Sequence, residues 1–348
     1  MVAYAGALSE DRSDSIPIET MRGIAVVLLV SYHVIGPGKG NGLDIAYPHM
    51  LRFYADFFID LRMPFFAFIA GYLYALRPLS VERYPQFMIG KLRRLALPGG
   101  VAVLLFALVA NLLGNKFALP WSEMLHTLSY SYAHFWFLQS VLVLFVVFGL
   151  VDVLLSQRFT VGILMVACVG YLSGFAFNTS FFSVNGTIYL LPYFLIGVVF
   201  FRHANEIWEE AERITIVALI ICVACAFWNI RVLYDTDTFS LVRRDVQSLG
   251  FGLSICLLAM LWCPKLTLLE KLSPYAFTIY LYHIFGTVAA RMMCNAFDIS
   301  QTDIRFFIGL AGGLLLPIMM HEVVLKSQVL SVTLLGRRHI ARQGLGAP

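Results

Sequence analysis

The chain has 348 residues, of which 59% are apolar and only 13% are charged. This composition excludes an ordinary water-soluble enzyme, because so much apolar surface cannot be buried in one aqueous core, and it predicts a polytopic membrane protein. The net charge of +4 by itself says nothing about nucleic acid, and we expect no nucleic-acid partner for a membrane protein of this kind.

Apolar segments of about 20 residues, the length that crosses a bilayer as a helix, recur along the whole chain. They lie at residues 18–36, 52–76, 96–113, 135–154, 161–178, 185–201, 214–230, 246–262, 274–293 and 306–326. We therefore predict an all-α polytopic integral membrane bundle of about ten transmembrane helices. The membrane domain covers 17–327, between tails at 1–16 and 328–348. Lysine and arginine favour the loops on the side of both termini, which predicts that both termini are cytoplasmic.

The first apolar segment contains Arg22 and His33, two residues that lipid disfavours. A helix advances ~100° and ~1.5 Å per residue, so His33 returns to within roughly 20° of the face of Arg22, about 16 Å further along. A charged group in a spanning helix is costly unless it faces protein or water, so both residues are candidates for function. The alternative is that Arg22 reaches the lipid headgroups while His33 bonds a carbonyl.

The second segment carries Asp56, Asp60 and Arg62. Asp56 and Asp60 share one helix face, and Asp56 is expected at the depth of His33 if this helix returns from the same side. A carboxylate there would orient the histidine ring and stabilise its protonated form. The alternative is charge pairing within the segment, Asp60 with Arg62 or an aspartate with Arg52, which only fixes packing. Gly71 further along allows another helix to approach closely.

The most basic stretch is KLRRLALPGG, at the start of the third segment. Lys91, Arg93 and Arg94 suit an anionic ligand that bears several phosphates. The alternative is anchoring to acidic lipid headgroups. Because Arg22 is predicted at the same membrane level, the sequence favours a ligand site.

His283 lies inside the ninth segment between two tyrosines, so it has either a structural partner or a role in a site. His134 is another polar group in apolar surroundings. The six cysteines lie in or beside apolar segments, and the pair Cys222 and Cys225 has no second pair nearby, which predicts packing and no metal site.

Six segments follow one another in order: the first segment with Arg22 and His33, then RMPFFAFIAGYLY, KLRRLALP, HFWFLQSVLVLF, LLPYFLIGVVF and SPYAFTIYLYHIF. Together they resemble the family-three membrane acyltransferases, bacterial-type multi-span enzymes that acylate glycans. The resemblance covers about residues 17–327.

The resemblance implies transfer of an acyl group, commonly acetyl and in some relatives succinyl, from cytoplasmic acyl-coenzyme A to a carbohydrate hydroxyl across the membrane. The acceptor would be an exo-, lipo- or capsular polysaccharide, a periplasmic glucan or a lipid-linked precursor. It implies that His33 is catalytic and that Arg22, Lys91 and Arg94 bind the donor. Two positions depart from the pattern, since Lys91 replaces a frequent arginine and Ala70 a frequent serine.

Coenzyme A carries its charged nucleotide and its thioester at opposite ends of a long arm, so its site must separate a cationic clamp from the reacting group. The clamp is expected to comprise Arg22, Lys91, Arg93 and Arg94. His33 would remove the hydroxyl proton or accept the acyl group itself, two routes that stay open here. Asp56 and Asp60 are candidates for supporting its chemistry. The candidates for contact with the substrate are Arg62, Tyr72 and His283.

A transporter or flippase is the alternative from another class, because buried Arg, Asp and His side chains could form a proton or substrate pathway. Transporters often have two matching halves, which we do not detect in this sequence. We predict no permanently bound cofactor and no metal. The expected partners are acyl-coenzyme A as donor substrate, a carbohydrate acceptor and the lipid bilayer. The oligomeric state stays open, with a homodimer as one option.

Overall fold

The structure is a computed structural model that describes residues 17–38, 41–236 and 244–337. It is 77% helical and has no β-strand in these ranges, which confirms the all-α prediction. The N-terminal tail predicted at 1–16 and residues 338–348 of the C-terminal tail lie outside the described residues.

The helices are numbered in chain order. They are α1 (Ile18–Ile35), α2 (Met50–Phe57), α3 (Ile59–Ala75), α4 (Tyr84–Lys91), α5 (Leu97–Leu112), α6 (Trp136–Leu154), α7 (Thr160–Leu172), α8 (Val184–Arg202), α9 (Ala204–Glu209), α10 (Ala211–Thr236), α11 (Val246–Trp262), α12 (Thr267–Glu270), α13 (Ala276–Ala296), α14 (Thr302–Val324) and α15 (Gln328–Leu335). A π-helical turn, Leu92–Ala96, joins α4 to α5, and a 3₁₀ turn, Ser273–Tyr275, leads into α13.

Each of the ten predicted apolar segments coincides with one or two helices. By length and composition, seven helical stretches among the described residues could cross a membrane. An eighth results if α11 and the following stretch Thr267–Ala296, bent by 109°, form one span. Helix α7, with 13 residues, is shorter than these. The described chain is therefore a multi-pass membrane protein with seven or eight candidate spans, where the sequence predicted ten.

Helix α1 lies inside the bundle. On one side, Met21 and Leu28 belong to an apolar cluster that includes Phe65 of α3. On the other side, Val30 shares a cluster with Ile279 of α13. Because protein covers both sides of α1, its polar residues face neighbouring helices, where they are tolerated far better than in lipid.

Two glycines allow α3 and α8 to pack backbone to backbone. A Cβ atom on Gly71 would lie 1.8 Å from the carbonyl oxygen of Phe194, and one on Gly197 would lie 2.1 Å from that of Phe68. Only glycine permits such an approach. The close helix contact predicted at Gly71 is therefore present.

A buried ion pair ties α6 to α8 near the end of the bundle where α1 begins. The Arg202 guanidinium donates to both carboxylate oxygens of Asp152, at 2.7 and 2.6 Å. Asp152 also accepts from the Tyr74 hydroxyl at 2.8 Å, while Arg202 donates to Thr160 at 2.5 Å. These contacts satisfy a carboxylate that lies inside an apolar helix.

Candidate active site

A cavity of about 630 Å³ lies at the end of α1 that carries His33. Its wall combines the last turns of α1, the loop that follows, parts of α3 and α13, and the start of α6. Both His33 and His134 line it. Sites for small molecules have volumes of about 300–1,000 Å³, so the cavity has the size of a small-molecule site.

Three histidines meet beside this cavity. The ring centroid of His33 lies 4.8 Å from that of His283 and 5.8 Å from that of His134, and the last two are 5.1 Å apart. His283 is fully buried and does not line the cavity, so its ring lies behind that of His33 as seen from the cavity. His134 belongs to a short 3₁₀ turn, Ala133–Phe135, and its carbonyl accepts from the Tyr280 hydroxyl at 2.8 Å.

Backbone carbonyls fix the tautomer of His283. Its Nδ1 is 2.8 Å from the Ile279 oxygen and 3.0 Å from the Tyr280 oxygen, so Nδ1 carries the proton and donates. The Nε2 atom of the neutral ring is then an acceptor. Within the described ranges, no group of three or more His, Cys, Asp or Glu side chains is arranged to hold a metal ion.

The structure does not bring Asp56 to His33, which contradicts the orienting contact that we predicted. Asp56 accepts two hydrogen bonds from the Arg52 guanidinium and a third, at 2.6 Å, from the Tyr47 hydroxyl. Arg52 also donates to the Gly36 carbonyl at 2.5 Å. This is the local pairing that the sequence allowed as an alternative, because residues one turn apart share a helix face. Its effect is to tie the start of α2 to the end of α1.

Asp60 is also absent from the cavity wall. It is fully buried. Its backbone carbonyl oxygen packs against Gly252 of α11, where an added Cβ atom would lie 3.0 Å from that oxygen. Its carboxylate interacts electrostatically with Tyr171 and Tyr193. Asp60 therefore faces the packing between α3, α8 and α11 rather than the cavity.

Arg62, which we predicted to contact the substrate, lies on the cavity wall. Its guanidinium carbon is 3.4 Å from the ring centroid of Tyr32, a cation–π contact beside His33. Tyr72 is placed differently from our prediction. It is buried against Phe200 and Phe201 in an apolar cluster and does not reach the cavity.

The opposite end of α1 carries Arg22. Its Nη1 donates to the Ser273 hydroxyl at 2.9 Å, in the turn before α13. The neighbouring Gly23 lies so close to α12 that a Cβ atom would be 2.3 Å from the Leu269 carbonyl oxygen. The close contact at Gly23 fixes the position of Arg22 against the Ser273–Tyr275 turn.

The basic stretch approaches the same turn through the end of α15. Gly336 has a φ of +65°, and a Cβ atom there would lie 2.7 Å from the Arg93 carbonyl oxygen and from the Arg94 Cα. Arg337 then donates to the Pro274 carbonyl at 3.3 Å. Arg22 and Arg337 thus contact one turn, and the backbone of Arg93 and Arg94 packs beside Arg337 against the end of α15. We call these four arginines the basic patch.

Lys91, the remaining member of the predicted clamp, interacts electrostatically with Arg94 and makes its closest contacts with aromatic rings. Its ammonium nitrogen lies 3.4 Å from the ring centroid of Phe145 and 5.1 Å from that of Phe87. The charge therefore rests between aromatic rings of α4 and α6. Arg337, which was not among the predicted clamp residues, joins the basic patch through its contact with Pro274.

A comparison with protein families gives one result that covers most of the chain. A family model described as an acyltransferase domain matches residues 17–322. No curated protein and no solved structure matches the chain significantly. The matched region contains the cavity together with Arg22, Arg93 and Arg94. Because the match covers most of the chain, the chain belongs to acyltransferase family 3 and is a membrane acyltransferase.

Proposed function

We propose that this protein transfers an acyl group, most simply acetyl, from acyl-coenzyme A bound at the basic patch to a hydroxyl of a carbohydrate bound in the cavity. The observation that carries the proposal is the arrangement along α1. Arg22 meets the basic patch at one end, and His33 faces the cavity at the other. Eleven residues of helix separate them by about 16 Å.

This separation suits the shape of acyl-coenzyme A. The phosphates of its nucleotide favour guanidinium groups, which bind phosphate oxygens in pairs. The pantetheine arm would then extend along α1 and bring the thioester to His33. No cofactor remains on the protein in this scheme, because coenzyme A leaves after each turnover.

His33 is the proposed general base. A neutral imidazole beside the cavity accepts the hydroxyl proton as the oxygen attacks the thioester carbonyl. The carbon–sulfur bond breaks, and the departing sulfur takes the proton from His33. In the second route, the neutral His33 attacks the thioester first, the carbon–sulfur bond breaks, and coenzyme A leaves as a thiolate that takes the proton lost by the acylated ring. The hydroxyl oxygen then attacks the acyl group, the bond from the acyl carbon to the ring nitrogen breaks, and that nitrogen takes the hydroxyl proton. Arg62, on the same wall, is the candidate for stabilising the negative charge that develops on the carbonyl oxygen.

The membrane orientation is part of the proposal. Coenzyme A is a cytoplasmic donor, so the basic patch would face the cytoplasm, with both termini on that side of a bacterial-type inner membrane. A cysteine introduced for Ala46 should react with an impermeant reagent added outside, and one introduced for Glu82 should not. Both positions are exposed in the structure. The reverse pattern of labelling would contradict this orientation.

Two other functions make different predictions. Succinyl transfer would use the same acceptor and would appear as a preference for succinyl-coenzyme A. A proton-coupled transporter or flippase would move a substrate without consuming any thioester. Release of free coenzyme A, measured with a thiol reagent, therefore separates acyl transfer from transport.

The decisive experiment replaces His33 with alanine and measures acetyl transfer to a panel of envelope glycans in proteoliposomes. We expect a loss of about 100- to 10,000-fold in rate, as for other lost general bases. Coenzyme A affinity should stay near that of the unmodified protein, because the basic patch is distant. The matched control is His126→Ala, an exposed histidine that does not line this cavity. Transfer at the parent rate by His33→Ala would refute the proposal.

A further inference from the structure

The cavity wall carries an excess of positive charge. Arg62, Lys116, Arg291 and Arg305 all line it. No aspartate or glutamate from the described ranges 17–38, 41–236 and 244–337 is among the lining residues. A concave site lined by charge of one sign concentrates the field and attracts ligands of the opposite sign.

The four cations form two levels. Arg62 lies deep, where it interacts electrostatically with His33. Lys116, Arg291 and Arg305 come from the loop after α5, the last turns of α13 and the first turn of α14, at the end of the bundle where α1 stops. If the anionic group of a ligand binds to the three outer cations, the remainder of the ligand can therefore extend into the cavity towards His33.

Arg305 is the best-fixed of the outer cations. Its Nη2 donates to the Asn295 side chain at 2.7 Å, which fixes the guanidinium at the cavity. Its Nε is buried and has no acceptor in the structure. A buried donor without an acceptor costs free energy, and an anionic ligand would supply one.

Anchoring to lipid headgroups is the ordinary explanation for basic residues near a membrane surface. It fits poorly here, because these side chains line a cavity and Arg305 is only partly exposed. In the orientation proposed above they also lie on the outer side, where membrane proteins show no enrichment in lysine and arginine.

We propose that the carbohydrate acceptor is acidic and carries a carboxylate or phosphate near the acylated hydroxyl. Arg305 and Arg291 bind this anion while the hydroxyl approaches His33. This inference rests on the proposed function, and it adds the chemical class of the acceptor.

The test compares two oligosaccharides that differ in one group. One contains glucuronic acid, and in the other the carboxylate has been reduced to give glucose. A third version with a phosphate ester shows which anion is preferred. The protein is reconstituted in phosphatidylcholine vesicles, which carry no net charge, with acetyl-coenzyme A as donor. We expect kcat/KM to be about 10- to 100-fold higher for an acidic acceptor, the value of a charge-assisted hydrogen bond.

The variants locate the effect. R305Q and R291Q should bring the acidic and neutral acceptors within a few-fold of each other, and R305K should keep part of the preference. The control is R231Q, which changes an exposed arginine on α10 that does not line the cavity. A single sharp peak in size-exclusion chromatography confirms that each variant is folded.

Two results would overturn the inference. Equal kcat/KM for acidic and neutral acceptors would do so while leaving acyl transfer itself intact. An acid preference that R305Q and R291Q retain, as R231Q does, would place the anion elsewhere. Transfer to neither kind of acceptor would instead refute the proposed function, and the acceptor class would fall with it.

Discussion

Replacing Asp56 with asparagine tests whether this carboxylate supports the fold or the chemistry. The side chains of Arg52 and Asp56 are 4% and 11% exposed, so removing one charge leaves the other buried without its counter-ion. Breaking a buried ion pair at one partner costs about 3–5 kcal/mol. The double variant Arg52→Gln with Asp56→Asn removes both charges, and we expect it to cost only about 0–2 kcal/mol.

Tyr47 provides an independent measurement on the same carboxylate. Burial, and then the contact with Asp56, raise the pKa of the Tyr47 hydroxyl, which therefore stays protonated and donates at all ordinary pH values. Its removal in Tyr47→Phe should cost about 1.5–3 kcal/mol, the value of a hydrogen bond to a charged group.

The free energy of unfolding is measured by denaturant titration in detergent micelles, and the pH–rate profile of acyl transfer is measured on the folded fraction. We expect large changes in stability and an unchanged pH–rate profile in Asp56→Asn. A double variant as unstable as the single one would refute the ion-pair argument. A displaced pH–rate profile would return Asp56 to the chemistry.

Two further predictions concern the ends and the packing of the bundle. Arg22→Gln should weaken coenzyme A binding by about 1.5–3 kcal/mol in calorimetry, since one charge-assisted contact is lost. Arg213→Gln, at an exposed cation near the same end, should bind normally, and equal affinity in both variants would exclude Arg22 from the donor site. Gly71→Val should destabilise the protein by about 3 kcal/mol or more, because its Cβ would overlap a carbonyl of α8. Gly162→Val, where a Cβ meets nothing within 4 Å, should unfold like the parent protein.

The helices and the two ends of α1 could be predicted from the sequence because both depend on local spacing. A window of apolar residues identifies a helix wherever the bilayer is the solvent. The rise of the helix then separates Arg22 from His33 without knowledge of any other element. The number of membrane spans could not be predicted as well from the sequence. Helix α7 is too short for a typical span, and the chain bends sharply between α11 and α13.

The partners of His33 could not be predicted, because they are distant in sequence. His134 and His283 lie in different segments, and single buried histidines give no sign that they meet. We instead assigned the orienting role to Asp56, a carboxylate expected at the depth of His33 in the next helix. The sequence did contain evidence against that assignment, because Arg52 lies one helical turn before Asp56 and can pair with its carboxylate in place of His33.

The distance between the two ends of the site is set by two helices that run in the same direction. Arg22 of α1 donates to Ser273 in the turn that leads into α13. His33 lies eleven residues after Arg22, and His283 lies ten residues after Ser273. The ring centroids of these two histidines are 4.8 Å apart. These two contacts, one at each end of α1, therefore fix the same axial alignment of α1 against α13. A slip of one residue, about 1.5 Å, would weaken both contacts together. The separation between the basic patch and the histidines is thus built into helix packing, which is a more rigid spacer than any loop.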